Sequence, residues 1–305
     1  LNNVSYEKRV ADTSILNLDE FGTSFLKVER IFGEGSMNAL MLNDYAPKSK
    51  KLKALSSLAN HSTPANLQVI RQTLSSKDDE IRMFGYAIIN KAEKSLNSKI
   101  NTYLEIIIEQ ENTDNDKAII ASAAKELAPL YWEMIYTELS HESLRNSFMQ
   151  TVKEYLNIAK EYYLKEGETF EKKIIKYEKE INSAIEYEQE HLDKNKKNKH
   201  ETSKYLKNEL IKEKLHRKRN SEINIKLFIL MGRVYMKENR YEQAKTEFIK
   251  AQELSSEKLV FVLPYLAEIY YLTGDYKVVK SIMKEAEGLD LNATLFPIVE
   301  QWKAS

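Results

Sequence analysis

The side chains that could carry acid–base or metal chemistry are scattered along this 305-residue chain. Its five histidines lack the spacing that places two metal ligands on one helix face; they are His61, His141, His191, His200 and His216. Neighbouring carboxylates, such as Asp78–Asp79 and the Glu186/Glu188 pair, lie in charged segments where they are usually solvated. Cysteine is absent, which excludes thiol nucleophiles and thiolate metal sites. The sequence therefore predicts no catalytic centre, no metal and no cofactor.

The stretch Gly33-Glu34-Gly35-Ser36 has some likeness to a phosphate-binding loop. Such loops need a further glycine, a lysine and a preceding strand, and all three are missing here. We interpret this stretch as a turn ahead of a helix that starts near Ser36.

A basic stretch covers residues 193–219, with eleven Lys and Arg against four acids. Nucleic acid could neutralise these charges through its phosphates, but Tyr205 is the only aromatic residue available for base stacking. A solvated helix face is the favoured interpretation. The stretch could also dock an acidic partner or contact a nearby membrane surface.

Helices are the elements expected to position these side chains. The chain is 42% hydrophobic and 30% charged, and it has only eight Gly and five Pro. A net charge of zero implies no general affinity for nucleic acid or anionic lipid, and no run of apolar residues is long enough to cross a membrane. Because the chain starts at Leu1 without a signal peptide, we interpret it as a fragment whose upstream part is missing.

A pattern of large, small and aromatic residues occurs twice in residues 225–290, at an interval of 35 residues. The first copy contains Phe228, Met231, Gly232, Tyr235, Tyr241, Ala244, Phe248 and Ala251. The second contains Leu263, Leu266, Ala267, Tyr270, Gly274, Tyr276, Val279, Met283 and Ala286. Such spacing is typical of helix-turn-helix repeats, which must stack to bury their apolar faces.

The residues predicted to face a partner from the first helix of each repeat are Lys226, Arg233, Tyr265 and Glu268. Arg233 stands where a receptor for carboxylate tails of chaperones would need Asn, so we do not expect that ligand. Large apolar residues of the repeats are expected to hold helix to helix.

The whole chain is predicted to be all-α, a helical repeat solenoid with a charged arm. Two helix starts are predicted, at Ser62-Thr63-Pro64 and at Ser75 to Glu80, and Pro129 is expected to kink or start a helix. The arm is expected to be two long helices, antiparallel as in a coiled coil, with partial disorder around residues 193–202. A final amphipathic helix over residues 292–303 would cap the array. The predicted segments are an irregular 1–45, a HEAT-like 46–116, a helical hairpin 117–166, the arm 167–222, and the repeats with their capping helix 223–305.

The pattern in residues 225–290 resembles the tetratricopeptide repeat family. Asp79, Ile81, Arg82 and Gly85 resemble the second helix of a HEAT-type repeat. The segments Ser76–Arg82, on to Glu93-Lys94, and Leu130–Tyr136 resemble the cytoplasmic region of the PelE family, an inner-membrane component of bacterial Pel exopolysaccharide synthesis. The resemblance implies a membrane anchor upstream, no catalytic residues, and the partners PelD, a cyclic-di-GMP receptor, PelF, a glycosyltransferase, and PelG, a transporter. The arm is longer than the family needs.

The expected function is a non-catalytic scaffold at the cytoplasmic face of the bacterial inner membrane, for exopolysaccharide synthesis and export. One alternative is a general tetratricopeptide adaptor or regulator that binds peptides. Another is a nucleic-acid-binding protein that uses the basic stretch.

Overall fold

The computed structural model describes residues 39–41, 43, 45–60, 63–112, 116–139, 141–190, 196–255 and 260–287. Over these residues the secondary structure is helical and contains no strand, which confirms the all-α prediction. The α-helices are α1 Lys48–Asn60, α2 Pro64–Gln72, α3 Asp79–Asn112, α4 Lys117–Tyr136, α5 Arg145–Glu190, α6 Lys196–Lys237, α7 Tyr241–Leu254, α8 Leu263–Leu272 and α9 Tyr276–Glu287. Short 3-10 helices occupy Thr73–Ser75, Glu142–Leu144 and Val260–Val262. The predicted irregular start up to residue 38, the centre of the polar joint at 191–195 and the capping helix at 292–303 lie outside the described residues.

The chain forms two compact units. Among the described residues, the first consists of those up to Lys99 together with those within Glu133–Leu144, and it holds α1, α2, the larger part of α3 and the end of α4. The second consists of the described residues within Ile100–Trp132 and from Arg145 to Glu287, and it holds most of α4 and all of α5 to α9.

Side-chain caps start two helices of the first unit, as the sequence predicts. Thr63 accepts a hydrogen bond from the backbone N–H of Asn66 at 3.2 Å, one residue ahead of the proline that opens α2. Asp78 accepts from the N–H groups of Glu80 at 2.9 Å and Ile81 at 3.3 Å, and so caps α3. Both caps satisfy backbone donors that the first helical turn leaves without a partner.

Charged side chains reinforce the start of α3. The Lys48 ammonium lies 3.1 Å from Asp78 and 2.6 Å from Glu80. Burial alone would raise the pKa of the Asp78 carboxyl, but hydrogen bonds from Lys48, Ile81 and Glu80 together lower it. Hydrogen bonds to Glu80 and Asp78 raise the pKa of Lys48. The ionised forms of both groups are therefore the ones that this helix start favours.

Helices α5 and α6 of the second unit run antiparallel. Three contacts establish the direction: Glu166 with Asn220, Glu171 with Arg217 and Glu178 with Lys214. Residue numbers rise along α5 as they fall along α6, in agreement with the predicted antiparallel pair.

Both helices continue through the boundaries predicted at residues 166/167 and 222/223. The inward positions of α5 keep steps of three and four on both sides of residue 166. They are the buried Met149, Val152, Leu156, Ala159, Tyr163, Ile174 and Ile181, with the half-buried Gly167, Phe170 and Tyr177 between the last three. Only the exposed face becomes more charged beyond residue 166, so the change in composition does not mark the end of a helix. Pro129 lies inside α4 and does not start it.

Candidate protein-interaction surface

Among the described residues, the turns between paired helices form a clear structural repeat. Helices α7 and α9 begin at Tyr241 and Tyr276, so the two helix-turn-helix units are 35 residues apart. In the first turn the N–H of Arg240 donates to the carbonyl of Tyr235 at 2.9 Å. In the second the N–H of Asp275 donates to the carbonyl of Tyr270 at 2.8 Å. Corresponding residues therefore make the same bond.

A residue with positive φ makes each of these turns possible. Asn239 has φ 59° and Gly274 has φ 84°, and these residues are also 35 positions apart. The N–H of Asn239 donates to the carbonyl of Met236 at 3.0 Å, and the N–H of Gly274 donates to the carbonyl of Tyr271 at 3.1 Å. Together with the preceding bonds this is the Schellman arrangement, in which a left-handed residue ends a helix and satisfies its last carbonyls. Glycine and asparagine reach this conformation more easily than other residues.

Aromatic stacking joins the first helix-turn-helix repeat to the second. The ring of Phe248 on α7 stacks on Tyr265 on α8, with centroids 5.1 Å apart and planes inclined by 9°. Phe248 is fully buried in a cluster with Ala244, Val262 and Ile269. A second cluster joins α8 to α9 and comprises Leu263, Ala267, Val279, Ile282 and Met283. The apolar residues of the repeat pattern thus hold helix to helix, as expected.

Gly232 fits the small position of the pattern for a steric reason. A Cβ atom at this position would lie 2.8 Å from two carbons of the Phe248 ring. Because ring atoms in a packed core cannot move aside cheaply, α6 and α7 approach this closely only with glycine here.

The four predicted partner-facing residues divide into two kinds. Lys226 on α6 and Glu268 on α8 are exposed. The Arg233 guanidinium instead lies over the ring of Trp132 on α4, 5.2 Å from its centroid, and Tyr265 stacks on Phe248. Arg233 and Tyr265 therefore contribute to helix packing, while Lys226 and Glu268 remain predictions for contact with a partner.

Two largely buried ion pairs attach the first repeat to α5, and neither was predicted from the sequence. Lys153 lies 2.6 Å from Glu238, just after α6, and Lys160 pairs with Glu247 on α7. The Lys160 ammonium also lies 4.5 Å from the centroid of the Phe228 ring. No spacing rule could have found these pairs, because their partners are more than 80 residues apart in the sequence.

Polar residues interrupt the seam between α5 and α6 next to the repeats. The Asn220 amide donates to Glu166 at 2.8 Å, and the Asn224 amide donates to Asn220 at 2.9 Å and to the Tyr163 carbonyl at 3.2 Å. Buried asparagines at seam positions fix the register of paired helices, because a shifted register leaves them without partners. Their positions at core spacing in the sequence could have signalled this network.

The buried carboxylate of Glu213 also lies in this seam, closer to the tip of the arm. One of its oxygens is 3.5 Å from Lys173, while the other has no hydrogen-bond partner among the described residues. A half-satisfied buried carboxylate is costly. This part of the seam is therefore expected to be less stable than the apolar part.

A cavity of about 240 Å³ lies within the first unit. Its lining comprises Ala59, Leu67, Ile88, Lys91, Ala92, Ser95, Leu96, Lys99 and Glu133. Burial raises the pKa of the Glu133 carboxyl, and the nearby Lys99 charge partly opposes this. None of the four predicted partner-facing residues lines it.

The described residues hold no group of three or more His, Asp or Glu placed to bind a metal ion. Within the same residues, no helix combines the length and the apolar character needed to span a membrane. No protein-family model matches the chain, and no curated protein or solved structure shows significant similarity to it.

Proposed function

We propose that this chain is a non-catalytic scaffold that brings other proteins together through its repeat region. The main support is the pair of turns that make the same hydrogen bonds 35 residues apart. Units repeated in this way stack on one another and present a row of first helices to a partner. Exposed Lys226 and Glu268 lie on the first helices α6 and α8 and offer opposite charges to that partner.

The proposed setting is a complex for bacterial exopolysaccharide synthesis and export at the cytoplasmic face of the inner membrane. The proposed partners are PelD, PelF and PelG. The support is the resemblance of Ser76–Arg82 and Leu130–Tyr136 to the PelE family, together with the order of segments along the chain. The Ser76–Arg82 segment includes Asp78, which caps α3.

The test is co-purification of the full chain from the polymer-producing cells in which it occurs, with mass spectrometry of the recovered proteins. We expect membrane synthase subunits with the wild type, and recovery reduced about tenfold in a Lys226→Glu/Glu268→Lys variant, with less polymer exported. Glu253→Lys/Lys280→Glu is the matched control, because it makes the same charge changes at exposed positions of the second helices α7 and α9.

Three outcomes distinguish the proposals. Failure of the wild type to recover any synthase subunit would overturn the exopolysaccharide role. Recovery of a different protein through Lys226 and Glu268 would leave a general adaptor in its place. Equal recovery with the variant and the control would remove these two residues from the interface.

A further inference from the structure

The outward face of α6 in the arm carries two large apolar side chains in a cationic setting. Ile211 is 65% exposed and Leu215 is 46% exposed, although hydrophobic residues of this size are usually buried. They are four residues apart and therefore lie on the same side of the helix. The opposite side packs on α5 through buried Glu213 and Asn220.

These residues belong to a second seam along α6. Lys204, Ile211 and Lys218 follow at steps of seven, and so do Asn208, Leu215 and Glu222. The two rows are offset by four residues, which is the spacing of the core positions in a coiled coil. In the described part of the arm, this seam has no helix packed against it: all six of its side chains are exposed.

The charges beside this seam indicate what can cover it. Lys207 and Arg219 occupy flanking positions, where the partner helix of a coiled coil places its charged residues. Two other cations of the arm are already paired with carboxylates, since Lys214 lies 2.8 Å from Glu178 and Arg217 lies 2.8 Å from Glu171. Among the described side chains no acid pairs with Lys204, Lys207, Lys218 or Arg219.

We propose that this outward seam of α6 binds an acidic amphipathic helix of another protein, with apolar residues against Ile211 and Leu215 and carboxylates against the flanking cations. A second copy of this chain would bring two cationic faces together, and Glu222 is the only acid on the seam itself. Nucleic acid would leave the apolar centre against phosphates. A membrane surface favours a wide apolar face, whereas this one is the narrow stripe of a helix pair.

This inference shares with the proposed scaffold role only the assumption that the chain binds proteins, and it concerns another surface. The test uses the full chain and a fluorescently labelled synthetic peptide of about four heptads, with Leu at the core positions and Glu at the flanking ones. Fluorescence anisotropy measures binding. The Lys226→Glu/Glu268→Lys variant should bind this peptide like the wild type, so failure of one proposal leaves the other standing.

We expect saturable binding that weakens about tenfold in an Ile211→Ser/Leu215→Ser variant, and similarly in a Lys207→Glu/Arg219→Glu variant. Ile108→Ser is the matched control, because Ile108 is a comparably exposed isoleucine on α3. Circular dichroism checks that the variants remain helical. Since all four substituted side chains are exposed, the helix pair is expected to stay folded.

Three results would overturn the proposal. The first is unchanged affinity for the peptide when Ile211 and Leu215 are replaced. The second is equally tight binding of a peptide with Gln in place of Leu, because charge alone would then explain binding. The third is binding of phosphatidylserine-containing vesicles through these same residues without binding of the peptide, which would assign the face to a membrane.

Discussion

The repeat region and the arm share the helices α5 and α6 but are held together differently. Beside the repeats the helices pack through buried apolar residues such as Val152, Leu156 and Val234. Farther along the same two helices, the seam contains Asn224 and Asn220 where it enters the arm, and Glu213 within the arm. Apolar packing supplies stability, whereas buried polar groups cost stability and specify one register. The comparison indicates a more stable region where α5 and α6 pack beside the repeats, here called the base, and a less stable arm whose register is fixed.

The largest expected effect is at the base. Phe248→Ala should lower the free energy of unfolding by about 3–5 kcal/mol, because Phe248 is fully buried and stacks on Tyr265. Urea denaturation followed by circular dichroism measures this. The exposed Phe261→Ala is the control and should change it by less than about 0.5 kcal/mol. Equal effects would remove the assignment of Phe248 to a packed core.

The second prediction compares ion pairs. Lys160→Met should cost about 2 kcal/mol, because Lys160 and Glu247 are only 14% and 10% exposed and the carboxylate would lose its closest cation. Lys250, 3.5 Å away, offsets part of the loss. Lys214→Met in the arm should cost under about 0.5 kcal/mol, since its pair with Glu178 is half-exposed. Thermal unfolding of both variants measures the two losses of stability. A larger loss for Lys214→Met than for Lys160→Met would contradict the comparison.

The third prediction concerns the polar seam. Asn224→Ala should cost about 1–2 kcal/mol, because it removes hydrogen bonds to Asn220 and the Tyr163 carbonyl in a buried setting. Asn224→Leu should recover much of this stability but relax the register. Disulfide trapping between cysteines placed at Glu171 and Arg217, and at shifted positions, measures the register. A single register in the leucine variant would count against this role of Asn224.

The smallest effect is expected at the repeat turns. Gly274→Ala should lower the free energy of unfolding by about 1 kcal/mol. Its φ is 84°, and no atom beyond the adjoining residues lies within 4 Å of the new Cβ, so the cost is conformational. Asn239→Gly at the corresponding position should be neutral or slightly stabilising. If both substitutions shift the melting temperature in the same direction, the two turns do not share the conformational requirement inferred from their hydrogen bonds.

Local features were predictable from the sequence, and features that depend on distant pairing were not. The caps at Thr63 and Asp78 and the interval between the repeat turns follow from short patterns. The ion pair between Lys160 and Glu247 depends on how α5 packs against α7, and no short sequence pattern predicts that packing.

The partner-facing residues show the same limit. The repeat pattern identifies the helices that carry Arg233 and Tyr265, but only the fold shows that Arg233 lies over Trp132 and that Tyr265 stacks on Phe248. The predicted boundaries at 166 and 222 fall inside helices because composition reports the exposed face rather than the continuity of the backbone.

The continuity of α5 and α6 restricts how the length of this arm can change. An insertion in one helix alone would rotate the later side chains of that helix about its axis and separate pairs within the arm such as Glu178 and Lys214. A change of about seven residues in both helices together preserves the facing positions. Evolution or an engineer can therefore lengthen or shorten the arm in paired heptads, which makes it an adjustable spacer attached to a fixed base.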